Sequence, residues 1–196
     1  MLCALCGEKC SFNQFKGGQL STREKSQGGS GGLLQVGIVM GSDSDLSVME
    51  SAADVLKDFG VAFEITVASA HRSPQRAAEW ASSARKRGIQ IIIAGAGHAA
   101  HLAGAMAAHT SLPIIGVPID SSCLQGMDAL LATVQMPPGV PVATMAIGKS
   151  GARNAGILAV QILALADPVL AERLDKYKQD MAAKVEQKAK KLENSN

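Results

Sequence analysis

A chain of 196 residues with 47% hydrophobic content can bury one good core, and its formal charge of +2, with acidic and basic residues well mixed, excludes a nucleic-acid polymer as the expected partner. Aromatic residues make up only 3% while Gly numbers 20, which suits helices packed closely on a sheet and argues against a base-stacking surface. No apolar run reaches the roughly 18 residues of a membrane-spanning helix and no signal-peptide core opens the chain, so a cytoplasmic protein with no membrane partner is expected.

Residues 1 to 33 are polar and end in Gly28-Gly29-Ser30-Gly31-Gly32, a linker composition that predicts a disordered extension. Cys3, Cys6 and Cys10 lie within it. A structural zinc site takes four ligands and no nearby His completes this trio, so no metal is expected. With Cys123 far away the cysteines make no disulfide framework either, which fits a reducing compartment.

From residue 34 onward, apolar runs alternate with helical patterns: strand 34 to 40, helix 44 to 59, strand 61 to 68, helix 74 to 87, strand 89 to 95, helix 98 to 109 and strand 113 to 118. A turn-rich segment through Pro137, Pro138, Gly139 and Pro141 follows, then strand 142 to 147 and helix 151 to 165. Strands alternating with helices imply right-handed crossovers and a parallel sheet covered on both faces, here an α/β domain over 34 to 166. Pro168 opens a last helix over 167 to 196, on which Leu170, Leu174, Tyr177, Met181, Val185 and Leu192 form one apolar stripe. A stripe that long on a terminal helix needs a cover. A neighbouring subunit is the expected one, and hence a homo-oligomer.

Chemistry-bearing residues gather where strands end, and in parallel sheets that edge binds ligands. The first strand runs into Gly41-Ser42-Asp43-Ser44-Asp45 at a helix start, where free N–H groups and the helix dipole favour an anion. Ser42 is thus a candidate phosphate ligand, and Asp45 an acceptor for a ribose diol, although Ser and Asp also cap helices for structural reasons alone. The second strand runs into Ser69-Ala70-His71-Arg72-Ser73-Pro74, which sets a proton-transferring imidazole beside a guanidinium suited to phosphate. The third ends in Ala94-Gly95-Ala96-Gly97-His98-Ala99-Ala100-His101, where small residues let backbone approach a ligand. His98 and His101 would share a helix face if the helix has begun there, without a carboxylate or Cys to make a metal set. His109 reads as a surface residue at that helix's C-terminus.

These stretches, together with Pro113-Ile-Ile-Gly-Val-Pro118, Val134-Gln-Met-Pro137, Gly139-Val-Pro-Val-Ala-Thr144, Ala146-Ile-Gly148 and Asn154-Ala155, resemble in order and spacing the N5-carboxyaminoimidazole ribonucleotide mutase family, the bacterial-type catalytic subunit of phosphoribosylaminoimidazole carboxylase. The resemblance spans residues 36 to 165 and implies a flavodoxin-like three-layer fold with an extended C-terminal helix. It also implies an octamer whose sites are completed across subunits, and a cofactor-free shift of a carboxylate from N5 to C4 of a small-molecule ribonucleotide. On matching positions it implies that Ser42 and Arg72 hold phosphate, Asp45 the ribose hydroxyls, that His71 serves as general acid and base, and that His101, grouped with it as catalytic, helps shape the base pocket. Ser44, Ser69, Gly95, Ala96 and Gly97 are expected as further substrate contacts, and the Gln135-Met136-Pro137 turn is expected to help line the pocket. Similar chains usually carry Gly at position 98 and Pro at 103, where this one has His98 and Ala103.

Two alternatives remain at this stage. One is a direct carbon-dioxide-dependent carboxylase of aminoimidazole ribonucleotide. The other is a non-catalytic nucleotide-binding or receiver-like module on the same architecture, or a scaffold assembled through its terminal helix.

Overall fold

The computed structural model describes residues 34–194. The predicted extension, with Cys3, Cys6 and Cys10, lies outside them. Five parallel strands, β1 (Val36–Met40), β2 (Phe63–Val67), β3 (Ile91–Gly97), β4 (Ile114–Ile119) and β5 (Ala143–Thr144), form one sheet in the order β2-β1-β3-β4-β5. That is the flavodoxin-like order, and its topological switch point lies between β1 and β3.

Both faces of the sheet are covered, which is why β1 and β4 read as unbroken apolar runs. Val36, Ile38, Met40, Ile91 and Ile93 point to one side, where α1 (Leu46–Asp58), α5 (Gly148–Ala164) and the first turns of α6 (Pro168–Glu193) bury Met49, Leu56, Ala155, Ala159 and Leu170 against them. Val39, Ile92 and Ala94 point to the other, onto Ala77 and Ala81 of α2 (Pro74–Ala84) and Leu102 and Met106 of α3 (Leu102–His109). Small residues permit the close contact of α1 with α5. A Cβ added at Gly156 would stand 2.9 Å from the Ala52 carbonyl and 2.9 Å from Val55 Cβ.

Several elements differ from the sequence reading. The third strand starts at Ile91 and continues through Ala96 and Gly97, because these still pair with Pro118 and Ile119 of β4. The following helix begins at Leu102 rather than at residue 98, because His98 adopts φ +54° and turns the chain. A helix absent from the sequence reading, α4 (Met127–Val134), buries only Ala129 and Thr133, a stripe too small and polar to show as periodicity. The fifth strand shrinks to two residues and α5 starts at Gly148.

Asp167 caps α6 by accepting from the Val169 and Leu170 amides at 3.0 and 3.1 Å, with Pro168 at its first position. Leu170 and Leu174 are buried on the chain's own domain, Tyr177 meets Phe59 edge-on at 5.5 Å, and Arg173 donates to the Phe59 carbonyl at 3.0 Å. Beyond that point the stripe is bare. Met181, Val185 and Leu192 remain 43%, 67% and 71% exposed.

Candidate active site

The carboxyl ends of β1, β2 and β3 open into one cleft of about 560 Å³ at the switch point. The loop after β1 forms a single 3-10 turn, Asp43–Asp45, before α1. Ser44 donates its hydroxyl to Ser42 Oγ at 2.9 Å, and Ser42 donates to Asp43 Oδ1 at 3.2 Å. The amides expected to be free here are partly used: that of Ser44 goes to Ser42 Oγ and Asp43 Oδ1, and that of Asp45 to the Ser42 carbonyl. Asp45 is buried at 6% exposure, and desolvation pushes its carboxyl above the ordinary value; bonds from Ser42 and Ser44 and the charges of His98 and Arg72 pull it back by less.

In the loop after β2 the serines serve the backbone. Ser69 Oγ accepts from the Arg72 amide at 3.1 Å, while Ser73 donates its hydroxyl to the Ser69 carbonyl at 3.1 Å and accepts from the Ser69 amide at 3.0 Å. This knot holds the chain in a tight turn ahead of Pro74, the first residue of α2, and turns His71 and Arg72 outward over the sheet edge. Arg72 donates from Nη2 to the Gly41 carbonyl at 3.0 Å, which ties the second loop to the first.

His71 Nε2 lies 2.9 Å from Nδ1 of His101, the residue preceding α3, with the rings at 84°. At that distance one ring donates and the other accepts, so the two imidazoles share one hydrogen between them. Both rings are exposed at the mouth of the cleft in the isolated chain.

Ala96 and Gly97 form the floor, and Ser121, just past β4, sits on Gly97 so closely that any Cβ there would overlap Ser121 Oγ. His98 bonds Ser121 Oγ through Nδ1 at 3.1 Å. It does not share a helix face with His101, since α3 has not begun.

Ser42, Ser44, Asp45, Ser69, His71, Arg72, Ala96, Gly97 and His101 all line the cleft. Gly95 does not: it faces the core, where a Cβ would run into Met49, and contributes only a carbonyl that accepts from the Gly41 amide at 3.2 Å. The Gln135-Met136-Pro137 turn is likewise outside the cleft of its own chain, with Met136 lying over Gly104 of α3. His109 is exposed in the last turn of α3, as expected. Sequence reasoning passed over Ser121, although the rule that found the other loops, polar residues directly after a buried strand, applies to it equally.

The AIR carboxylase family model matches residues 35–184. The chain is 58% identical over 158 residues to the N5-carboxyaminoimidazole ribonucleotide mutase of Pyrococcus horikoshii, an alignment covering 81% of this chain and 88% of that protein. It is 55% identical over 161 residues to the mutase of the same name from Thermotoga maritima, covering 82% and 93%. The crystal structure of Treponema denticola PurE is similar with a TM-score of 0.73 at 28% identity, covering 81% of this chain and 98% of that one.

Proposed function

We propose, given that this chain belongs to the AIR carboxylase family, that it is an N5-carboxyaminoimidazole ribonucleotide mutase of purine biosynthesis, and that His71 carries its chemistry. The observation that carries this reading is the His71–His101 pair on a cleft that also holds Arg72, Ser42, Ser44 and Asp45.

The reaction moves a carboxylate from N5 to C4 of the aminoimidazole ring. Breaking the N5–carboxylate bond releases carbon dioxide and leaves electrons on nitrogen, which the His71 imidazolium meets with a proton. C4 then attacks the carbon dioxide, and the now neutral imidazole takes the proton from C4 so that the ring regains aromaticity. Carbon dioxide and proton are each released and recaptured, so the cycle balances without a cofactor. His101 positions the His71 ring and can either donate to its Nε2 or accept from it. Arg72 and the Ser42 and Ser44 hydroxyls take the phosphate, and Asp45 takes the ribose hydroxyls. Ser69 supports this arrangement by holding the Arg72 amide.

Carbon dioxide must stay in the site between the two half-reactions, and the cleft of a single chain is open. A homo-oligomer, for which the family likeness suggests an octamer, would close it. Two bare apolar surfaces support association: the outer part of α6, and a face beside the cleft made by Leu124, Met127, Leu131 and Val134, which are 48% to 60% exposed. No helix among the described residues is long and apolar enough to cross a membrane. A small phosphorylated substrate suits an enzyme of the cytoplasm. Conversion of the N5-carboxylated nucleotide without ATP, followed by ultraviolet absorbance, tests the assignment.

A further inference from the structure

His98 stands apart from the roles above. It is one of two non-glycine residues with positive φ among the described residues, at +54°, and it lines the same cleft as the His71–His101 pair. Left-handed backbone disfavours an ordinary side chain, so the ring is held there against local preference. Ser121 Oγ meets Nδ1 at 3.1 Å and lies over Gly97. When the Ser121 hydroxyl donates, the neutral ring must carry its hydrogen on Nε2, and Nε2 has no partner among the described residues. The result is a ring with one unspent donor on the wall of a cleft suited to an anionic nucleotide.

The charged groups around it come from each neighbouring element. Asp45 stands at the start of α1 and Arg72 in the loop after β2; Asp128 on α4 accepts from Ser122 Oγ at 2.8 Å, and His71 and His101 line the same cleft. His98 is near enough to Asp45 and Asp128 to act electrostatically on both carboxyls.

We propose that His98 is a substrate-contacting residue whose Nε2–H binds an anionic oxygen of the ribonucleotide, with a contact that tightens as the ring protonates. This rests on the mutase reading and adds a contact that the reading does not need. The anionic oxygen belongs either to the phosphate or to the carboxylate.

The test compares the full chain with His98→Gly, which relieves the left-handed backbone, and His98→Asn, which tolerates it and keeps an uncharged polar group, between pH 5.5 and 8.5. A lost charge-assisted contact raises the KM of His98→Gly roughly tenfold at acid pH and about threefold at alkaline pH, with kcat changing much less. His98→Asn falls between the two without the pH-dependent part. Calorimetric titration with aminoimidazole ribonucleotide and with its 4-carboxylated product separates the sources. Equal weakening of both marks the phosphate, and weakening of the product alone marks the carboxylate. If His98→Gly binds both nucleotides as tightly as the unaltered chain at every pH, or if its loss falls on kcat, the proposal is overturned. Absence of turnover in the unaltered chain would contradict the mutase reading instead, and the calorimetric comparison would still decide the role of His98.

Discussion

His71 Nε2 and His101 Nδ1 are 2.9 Å apart, so the ring we propose as acid and base is held by a second ring able to take either hydrogen-bonding role. Replacing His71 with Asn removes the titrating nitrogen while keeping a polar group of similar reach. Turnover should fall by about 100-fold or more, the usual loss when a general acid–base group is removed, and the affinity for aminoimidazole ribonucleotide should change little. Steady-state kinetics with calorimetry checks this, and near-normal turnover would remove His71 from its role.

Arg72 bridges the first two loops through the Gly41 carbonyl. Arg72→Ala should weaken binding of the phosphorylated substrate by about 2 to 3 kcal/mol, the range for a charge-assisted contact. Arg72→Lys should recover only part of this, since an ammonium cannot hold the Gly41 carbonyl and a phosphate in one planar fork. Dissociation constants for aminoimidazole ribonucleotide measure the effect. Unchanged affinity in Arg72→Ala would exclude a phosphate role.

Asp45 carries a stability signature. Its carboxyl is raised from the ordinary 3.8 by burial, so the folded chain holds this proton more tightly than the unfolded one. Between the two values the folded state binds more protons, and by linkage this group's contribution makes stability fall as pH rises through that window. Asp45→Asn removes the penalty. The variant's melting temperature relative to the unaltered chain should therefore climb from pH 4 to pH 7 while its KM rises, and a flat or falling difference would contradict the burial argument.

Gly97 and Gly151 should respond differently to alanine. At Gly97 the added carbon overlaps Ser121 Oγ, a side-chain atom on an exposed loop that can move, so Gly97→Ala should disturb nucleotide affinity with little thermal cost. At Gly151 it runs into the Ala146 carbonyl, which is backbone at the entry of α5, and overpacking of this kind costs about 1 to 3 kcal/mol. Thermal unfolding paired with titration separates the two. Equal melting temperatures for both variants would show that this packing is looser than described.

The sheet and three of its loops were legible because Val- and Ile-rich runs end abruptly in Gly, Ser and His, and strand order then brings those ends together at one edge. What was not legible depended on contacts between distant segments. The third strand outlasts its apolar residues because β4 still pairs with Ala96 and Gly97, and His98 ends it through a backbone angle that no periodicity signals. Gly95 and Gly97 looked interchangeable in sequence. They share one face of β3, but the first still lies over Met49 of α1, while the second, two residues further along, stands beneath Ser121. The small helix α4 escaped because its buried positions are Ala129 and Thr133, so its apolar side chains are the exposed ones.

The most direct test of the central claim uses N5-carboxyaminoimidazole ribonucleotide carrying a carbon-13 label in its carboxylate, incubated with the full chain in unlabelled bicarbonate without ATP. Transfer within a closed cycle predicts 4-carboxylated product that retains the label, and no product from His71→Asn. Product that carries carbon from the bicarbonate pool, or that forms only when aminoimidazole ribonucleotide and bicarbonate are supplied, would contradict the mutase and point to direct carboxylation.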